Sequence, residues 1–238
     1  DVAQQVCAAA GVALTDLHAV GVGAPGPVDV EAGRVVEPPN LPGWQDVALR
    51  DVLADRLALR VALDNDANAA GLAEARFGAG QGASPLIYLT VSTGVGGAIL
   101  LGGQLVHGAA GAAGELGHII LQVGGPECGC GGRGCLEALA SGTAIAREAR
   151  ARFPDAPPDL SAEDVAQRAA TGDALATEII AQAMAHLGWG VASLVNALNP
   201  ACIVIGGGLT ALGPALFDPV RAAIDDHCNP VAARAVTV

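Results

Sequence analysis

Three cysteines and one histidine lie close together near the middle of the chain, with the spacing of a small metal site. Cys128, Cys130 and Cys135 fall within eight residues, and His118 precedes the first of them by ten. Thiolate and imidazole are the usual ligands of tetrahedral Zn²⁺. Glycines among the cysteines let the backbone fold back, so that the sulfurs converge on one point. The segment therefore predicts a zinc knuckle; a disulfide with one cysteine left over, or inert thiols, are the competing interpretations.

A run of polar residues follows a short apolar segment that is typical of a strand. The run reads Asp64, Asn65, Asp66, Ala67 and Asn68, and a helix is predicted directly after it. Junctions from strand to helix are where α/β proteins bind ligands. The same side chains could instead serve only as a helix cap. The residues by themselves leave both interpretations open.

A glycine-rich turn joins two predicted strands, over residues 86–91 and 98–101. The turn reads STGVGG and contains Thr93, Gly94 and Gly96. It is not a Walker loop, because it lacks Gly-Lys-Ser/Thr and no helix follows it. Its backbone N–H groups and the Thr93 hydroxyl would face phosphate. Because glycine-rich hairpins are common, the pattern alone is a weak indication of a nucleotide site.

The C-terminal part of the chain predicts several helices, the two longest of which precede one further strand. These two helices cover residues 136–153 and 173–198, and the strand covers residues 201–205. Gly207 and Gly208 follow this strand. A glycine run at that point suits a nucleotide that approaches the backbone closely.

Composition limits the classes of partner. The chain has 238 residues, of which 52% are hydrophobic, enough for one large core or two small ones. A net charge of −12 and only 3% aromatic residues disfavour nucleic acid as a direct partner of this segment. Six cysteines, three of them clustered, suit a reducing cytoplasm. Neither a signal peptide nor a long uninterrupted apolar run is evident, so no membrane partner is expected.

The order of elements predicts an α/β fold with two lobes of ribonuclease H-like topology and a cleft between them. We expect the boundary near Gly71, with residues 1–70 forming a partial small lobe and residues 71–238 a larger lobe that carries the knuckle and the nucleotide-contact elements. Asp46 is expected to cap a helix in the first lobe. The chain starts without Met and stops in strand-like sequence, so both ends are expected to be cut.

The sequence Gly114-Glu115-Leu116-Gly117-His118, followed by Cys-x-Cys-Gly-x-x-Gly-Cys-x-Glu, resembles the ROK family (repressor, open reading frame, kinase). The resemblance runs along essentially the whole chain and is closest to bacterial glucokinases. The family contains sugar kinases of the actin/hexokinase superfamily and sugar-responsive repressors. The resemblance therefore implies that fold, with the first lobe truncated, because the family's opening Asp-x-Gly-Gly-Thr phosphate loop does not occur in these residues.

The resemblance also implies roles for individual residues. Asp66 is implied as the general base, and His118 as a residue that binds structural zinc through one ring nitrogen and a sugar hydroxyl through the other, with Cys128, Cys130 and Cys135 completing the zinc site. ATP would arrive with Mg²⁺. The residues implied to contact sugar are Asn65, Asp66, Glu115, His118 and Glu137; those implied to contact nucleotide are Thr93, Gly94, Gly96, Gly207 and Gly208.

The function implied by the resemblance is ATP-dependent phosphorylation of glucose at the 6-hydroxyl. The resemblance of the segments PNLPGW (residues 39–44) and ASGTA (residues 140–144) to those of glucokinases implies glucose rather than N-acetylmannosamine, fructose or mannose. A sugar-responsive repressor with its DNA-binding domain upstream is the alternative. Homo-oligomerisation is a further expectation of the family, and the choice of ATP or polyphosphate as donor stays open. Without the first phosphate loop, the chain as given is expected to be inactive.

Overall fold

The structure is a computed structural model that describes residues 2–38 and 41–238. The chain forms two compact units: residues 2–69 with 107–113, and residues 70–106 with 114–238. The lobes predicted from the sequence, with their boundary at residue 70, stay a prediction. Residues 39 and 40, which open the PNLPGW segment, lie outside the described residues.

A parallel pair of strands forms the framework of the first unit. Strand β1 (Ala19–Ala24) pairs with β4 (Arg60–Asn65), and Gly23 lies opposite Asp64. Two shorter strands, β2 (Val28–Asp29) and β3 (Arg34–Val35), form an antiparallel hairpin. The helices are α1 (Val2–Ala10) and α2 (Leu49–Leu57), with a 3₁₀ turn at Leu14–Asp16. One buried apolar side chain from each of the four strands makes a small core of Ala24, Val28, Val35 and Leu63.

Asp46 does not cap α2, so that prediction is wrong. The residue before the helix is Ala48, which has no side-chain cap. The Asp46 carboxylate instead accepts hydrogen bonds from Arg34, from Nε at 2.5 Å and from Nη2 at 2.9 Å. The hydrogen bond from this guanidinium lowers the pKa of the Asp46 carboxyl below its usual value. The Asp46 carboxylate therefore binds Arg34, twelve residues away, instead of the N–H groups at the start of α2.

A four-stranded sheet in the order β7-β6-β5-β8 lies at the centre of the second unit. Strand β5 (Leu86–Val91) pairs antiparallel with β6 (Val95–Leu101) and parallel with β8 (Cys202–Gly206), and β7 (Gln104–Leu105) is the short edge strand. Both faces of this sheet are covered. Side chains such as Ile87 and Leu89 enter the main core, while Leu86 and Tyr88 enter a second cluster on the opposite face.

Helices cover both faces of the sheet. The first, α3 (Asp66–Phe77), starts in the first unit, and its later turns add Ala70, Leu72 and Ala75 to the second cluster. The main core is dominated by α7 (Ala174–Leu198), which is capped by Asp173. The remaining helices are α4 (Leu136–Ala140), α5 (Gly142–Arg152), α6 (Ala162–Ala170), α8 (Pro214–His227) and α9 (Pro230–Ala235), and 3₁₀ turns occur at Leu116–His118 and Gly208–Leu212.

The helix predicted over residues 136–153 is interrupted at Ser141. This residue has extended backbone dihedrals, φ −78° and ψ 166°, and its hydroxyl accepts a hydrogen bond from the Ala144 N–H at 3.1 Å. Serine is a favoured N-cap because its side chain satisfies an N–H that has no partner within the helix. The apolar periodicity continues from α4 into α5, so the sequence pattern predicts one uninterrupted helix. The start of α5 is therefore free to meet another element.

None of the described helices is both long and apolar enough to cross a membrane.

Candidate functional site

The three cysteines and the histidine of the predicted knuckle converge in the second unit. One ligand atom from each of His118, Cys128, Cys130 and Cys135 lies within 4.8 Å of the others. The Cys128 sulfur is 3.6 Å from Nδ1 of His118, and the Cys130 and Cys135 sulfurs are 3.8 Å apart. A disulfide needs about 2.05 Å between sulfurs, and all six cysteines are free thiols.

The separations of 3.6 Å between sulfur and nitrogen and 3.8 Å between two sulfurs fit a tetrahedral zinc ion. Bonds of about 2.3 Å to sulfur and about 2.05 Å to nitrogen, at tetrahedral angles, put two sulfurs about 3.8 Å apart and a sulfur about 3.6 Å from a nitrogen. Three thiolates and one imidazole are also a usual donor set for structural zinc. Nδ1 of His118 faces the sulfurs, which leaves Nε2 available to another partner.

The thiols of the cluster differ in their surroundings. Burial raises the pKa of the Cys128 thiol to about 12, and burial also raises the pKa of Cys135. A hydrogen bond from the Gly132 backbone lowers the pKa of Cys130, which is the exposed member. Partly buried thiolates side by side need a nearby positive charge. A divalent cation would supply that charge.

Local backbone bonds shape the knuckle. The Cys128 N–H donates to the Gly132 carbonyl at 2.9 Å, and the Gly131 N–H donates back to the Cys128 carbonyl at 3.0 Å. Gly131 has a φ of +86°, a region that L side chains rarely adopt. Cys135 directly precedes α4 and forms a bridge with Ile120. These contacts bring the third cysteine back toward the first two.

Two acidic residues border the cluster. Oε2 of Glu115 lies 3.8 Å from Nε2 of His118. Glu137, in the first turn of α4, accepts a hydrogen bond from the Val95 N–H at 2.9 Å through Oε2, and its Oε1 is 3.7 Å from the Cys128 sulfur. Glu137 therefore connects the metal-ligand cluster with the glycine-rich hairpin of the same unit.

The glycine-rich sequence forms the turn between β5 and β6. The Ser92 N–H donates to the Gly94 carbonyl at 2.9 Å, and Gly96 lies within β6, opposite Thr90. Thr93 is exposed at the tip. In the part of the chain that the structure describes, the N–H groups of Thr93 and Gly94 have no protein acceptor. The turn therefore offers two adjacent backbone donors and a hydroxyl.

The second glycine run packs beside this turn. Gly207 has a φ of +93°, and a Cβ there would lie 2.5 Å from the Val91 carbonyl oxygen at the end of β5. A Cβ on Gly208 would lie 3.5 Å from the Ser92 hydroxyl. A side chain at residue 207 would displace the end of β5, so this glycine is required by the fold itself.

Asn65 and Asp66 lie in the first unit, where β4 ends and α3 begins. Oδ1 of Asn65 accepts from the Ala67 N–H at 2.8 Å and from the Asn68 N–H at 3.3 Å, and its amide donates to the Gly26 carbonyl at 3.2 Å. Asn65 is therefore a helix cap, whatever else it contacts. Oδ1 of Asp66 accepts from the Ala67 N–H at 2.8 Å, and its second oxygen has no partner among the described residues.

The sequence interpretation missed Asp64 and its partners. Oδ1 of Asp64 accepts from the Asn65 N–H and from the side-chain amide of buried Asn68, both at 2.8 Å. Oδ2 lies 2.8 Å from Nε2 of His107, which comes from the segment that returns to the first unit. Asp64 was visible beside Asn65, but a histidine 43 residues away carries no local signal.

The model of the ROK family matches residues 2–237. The chain belongs to the ROK family. A glucokinase of Halalkalibacterium halodurans is 40% identical over 228 residues, which cover 91% of this chain and 69% of the relative. A xylose repressor of Caldicellulosiruptor bescii is 34% identical, and the match covers 87% of this chain and 54% of the repressor. This ROK chain thus resembles both kinases and repressors.

Solved ROK structures share the fold. A ROK hexokinase from Thermus thermophilus has a TM-score of 0.81 and 42% identity, with 94% of this chain and 74% of that chain covered. A ROK family glucokinase from Streptomyces griseus, in complex with glucose and AMPPNP, has a TM-score of 0.77 and 35% identity, covering 93% and 76%. The predicted α/β fold of the actin/hexokinase superfamily is confirmed.

Proposed function

We propose that this ROK protein is a sugar kinase that transfers the γ-phosphoryl group of ATP to the 6-hydroxyl of glucose. The observation that carries the proposal is the 40% identity to a glucokinase across nine tenths of the chain. The similar Streptomyces griseus enzyme, in complex with glucose and AMPPNP, supports a hexose and an adenine nucleotide as the substrates.

In this proposal Asp66 is the general base. As the bond from the sugar oxygen to the γ-phosphorus forms and the bond from that phosphorus to ADP breaks, the hydroxyl proton passes to the Asp66 carboxylate. The second carboxylate oxygen, which has no partner among the described residues, supports this role. Asn65 keeps its carbonyl oxygen in the helix cap and can offer only its amide N–H to a sugar hydroxyl.

In the second unit, Glu115, His118 and Glu137 would contact sugar hydroxyls. Nε2 of His118 is the ring nitrogen that faces away from the sulfurs, so it is the one that would contact the sugar. The zinc bound by His118 and the three cysteines, when present, would fix the imidazole in one tautomer and one orientation. The hexose proposed here is a polyol, for which carboxylates and imidazole are suitable partners.

The nucleotide would contact the two glycine runs of the second unit. The N–H groups of Thr93 and Gly94, which have no acceptor among the described residues, and the Thr93 hydroxyl would bind phosphate oxygens, and Gly96 would contact the nucleotide beside the turn. Gly207 and Gly208 would lie along the nucleoside. Mg²⁺ would arrive with ATP and neutralise its phosphates. The expected cytoplasmic location and homo-oligomer stay predictions.

A coupled assay of the full-length protein tests the function. Glucose, mannose, fructose and N-acetylmannosamine are each offered with ATP and with polyphosphate. We expect glucose with ATP to give the highest kcat/KM. Asp66→Asn, which preserves the hydrogen bond to Ala67, should lower kcat by about 10² to 10⁴ while the glucose Kd changes little.

The matched control is Asp55→Asn, on the exposed face of α2 in the same unit. It should leave kcat unchanged. Full turnover in Asp66→Asn would remove that residue as the base, and no turnover of any sugar by the wild-type protein would end the kinase proposal.

A sugar-responsive repressor is the second candidate, favoured by the 34% identity to a xylose repressor. In that case the sugar would bind without turnover, and the full-length protein would release DNA when the sugar is added. An electrophoretic mobility assay with and without sugar, run beside the kinase assay, separates the two functions.

A further inference from the structure

The start of α5 holds the glycine-rich turn through the turn's carbonyl groups. The Gly142 N–H donates to the Ser92 carbonyl at 2.7 Å. The Thr143 N–H and hydroxyl both donate to the Thr93 carbonyl, at 3.2 Å and 2.8 Å. Two consecutive peptide oxygens of the turn are therefore fixed from one side.

These bonds use the first donors of the helix. The first N–H groups of an α-helix have no partner within it. Those of residues 142 and 143 bond to the turn, and that of Ala144 bonds to the Ser141 hydroxyl. The start of α5 is thus already satisfied, and its effect on a phosphate would be exerted through the turn.

Because each peptide group is planar, fixing the carbonyls of Ser92 and Thr93 also fixes the direction of the N–H groups on the other side of the turn. In a trans peptide the C=O and the N–H of the next residue point in opposite directions. Because the Ser92 and Thr93 carbonyls point at α5, the N–H groups of Thr93 and Gly94 point away from it. Those are the two N–H groups without a protein acceptor in the described chain.

We infer that Thr143 is a positioning residue for nucleotide binding. Its hydroxyl locks the peptide between Thr93 and Gly94, so that the Gly94 N–H is aimed at a phosphate oxygen before the nucleotide arrives. This inference rests on the proposed kinase function, because it deepens the phosphate-binding role of the same turn. Thr143 itself does not touch the reacting atoms.

Glu137 occupies the backbone N–H that follows those of Thr93 and Gly94. The Val95 N–H is the next amide along the chain, and it is occupied by the Glu137 carboxylate at 2.9 Å. A phosphate is repelled by that carboxylate. The amides of residues 93 and 94, which the start of α5 orients, are therefore the pair left for an anion, and it would bind on the side away from Glu137.

Calorimetric titration of the full-length protein with Mg²⁺·AMPPNP, and separately with glucose, tests the inference. Thr143→Val removes the hydroxyl and keeps the shape and the backbone N–H. We expect its Kd for the nucleotide to rise about three- to tenfold, as for loss of one hydrogen bond. The glucose Kd should stay within about twofold of wild type, and Thr143→Ser should restore nucleotide binding.

The matched control is Thr177→Val. Thr177 is an exposed threonine in the first turn of α7, and its hydroxyl donates to the Asp173 carbonyl at 2.9 Å. It should leave both Kd values unchanged. Wild-type nucleotide affinity in Thr143→Val, equal losses for sugar and nucleotide, or no rescue by serine would each overturn the positioning role. If the wild-type protein binds no nucleotide, the kinase proposal fails with it.

Discussion

Nε2 of His107 lies 2.8 Å from Oδ2 of Asp64, although 43 residues separate them in the chain. A carboxylate only accepts hydrogen bonds, so the imidazole donates from Nε2. The other oxygen of Asp64 takes the side-chain amide of Asn68, which is 97% buried. One carboxylate thus joins the end of β4, the start of α3 and the returning segment within the first unit.

We expect Asp64→Ala to destabilise the protein more than His107→Ala. The first change leaves the buried Asn68 amide without an acceptor, which costs about 1–3 kcal/mol, whereas the second removes one partly exposed bond worth about 0.5–1.5 kcal/mol. Free energies of unfolding from urea titration measure both. Asp55→Ala, at an exposed position of α2, is the control and should be neutral. The reverse order of the two losses would show that His107, and not Asp64, is the centre of this network.

Gly23 keeps β1 close to the candidate base. A Cβ on Gly23 would lie 3.2 Å from the Cα of Asp66, whereas a Cβ on Gly21 would meet nothing within 4 Å. Both glycines lie on the same side of β1 because they are two residues apart. We expect Gly23→Ala to lower kcat about tenfold by displacing Asp66. Gly21→Ala carries the same backbone change and should keep full activity; equal kcat values for the two variants would contradict the prediction.

Removal of one metal ligand tests the cluster directly. We expect Cys130→Ser to reduce the zinc that remains bound after dialysis and to lower Tm, because a structural metal stabilises the folded state by mass action. The control is Cys228→Ser, whose hydroxyl can keep the hydrogen bond that the Cys228 thiol donates to the Ala192 carbonyl. Elemental analysis of both variants gives the result, and equal zinc contents would count against the four proposed ligands.

His186 should make stability depend on pH. Burial lowers the pKa of its imidazole, and the nearby Gln182 backbone opposes this shift only in part. The unfolded chain therefore binds the proton more readily, so stability is fully present above about pH 6.5 and is lost as pH falls through that value toward the folded pKa. Arg147 and Glu148 line the same cavity as His186, and a substitution of His186 alone leaves both of these charged residues in place.

The test compares wild type with His186→Phe at pH 7.5 and pH 5.5. Phenylalanine keeps an aromatic ring against Trp189, which His186 contacts edge-on with centroids 5.2 Å apart. We expect the wild-type urea midpoint to fall more than that of the variant over this interval. Asp46 and Asp164, whose carboxyl pKa values are lowered, titrate below this range. Parallel shifts in the two proteins would exclude His186 as the source.

The metal-ligand cluster could be predicted from the sequence because ligand chemistry is visible in residue type and close spacing. Three cysteines within eight residues leave few geometries, and the glycines between them indicate the turns. The glycine-rich turn could be predicted too, because its residue types and close spacing are local features of the sequence. Which elements hold it could not be predicted, since Thr143 lies 50 residues from Thr93 and looks like an ordinary helical threonine.

At other positions, contacts with residues distant in the sequence determine what the side chain does. Asp46 has the sequence context of a cap, yet Arg34 takes its carboxylate. The sequence around Asn65 and Asp66 is compatible with a helix cap or a ligand site, and in the structure the Asn65 side chain makes the capping bonds. The break at Ser141 had a local signal, a serine followed by glycine, but the apolar periodicity on both sides outweighed it in the prediction.

The interruption at Ser141 also gives the chain a spacer of fixed length. Glu137 bonds to Val95, and residues 142 and 143 bond to the preceding turn, so the number of residues from 137 to 143 must match the width of the hairpin. Residue type is constrained as well, since a Cβ on Gly142 would lie 2.9 Å from the Ser92 carbonyl oxygen. A single inserted residue after Ala140 would leave each helix able to form and would put one of the two attachment points out of register.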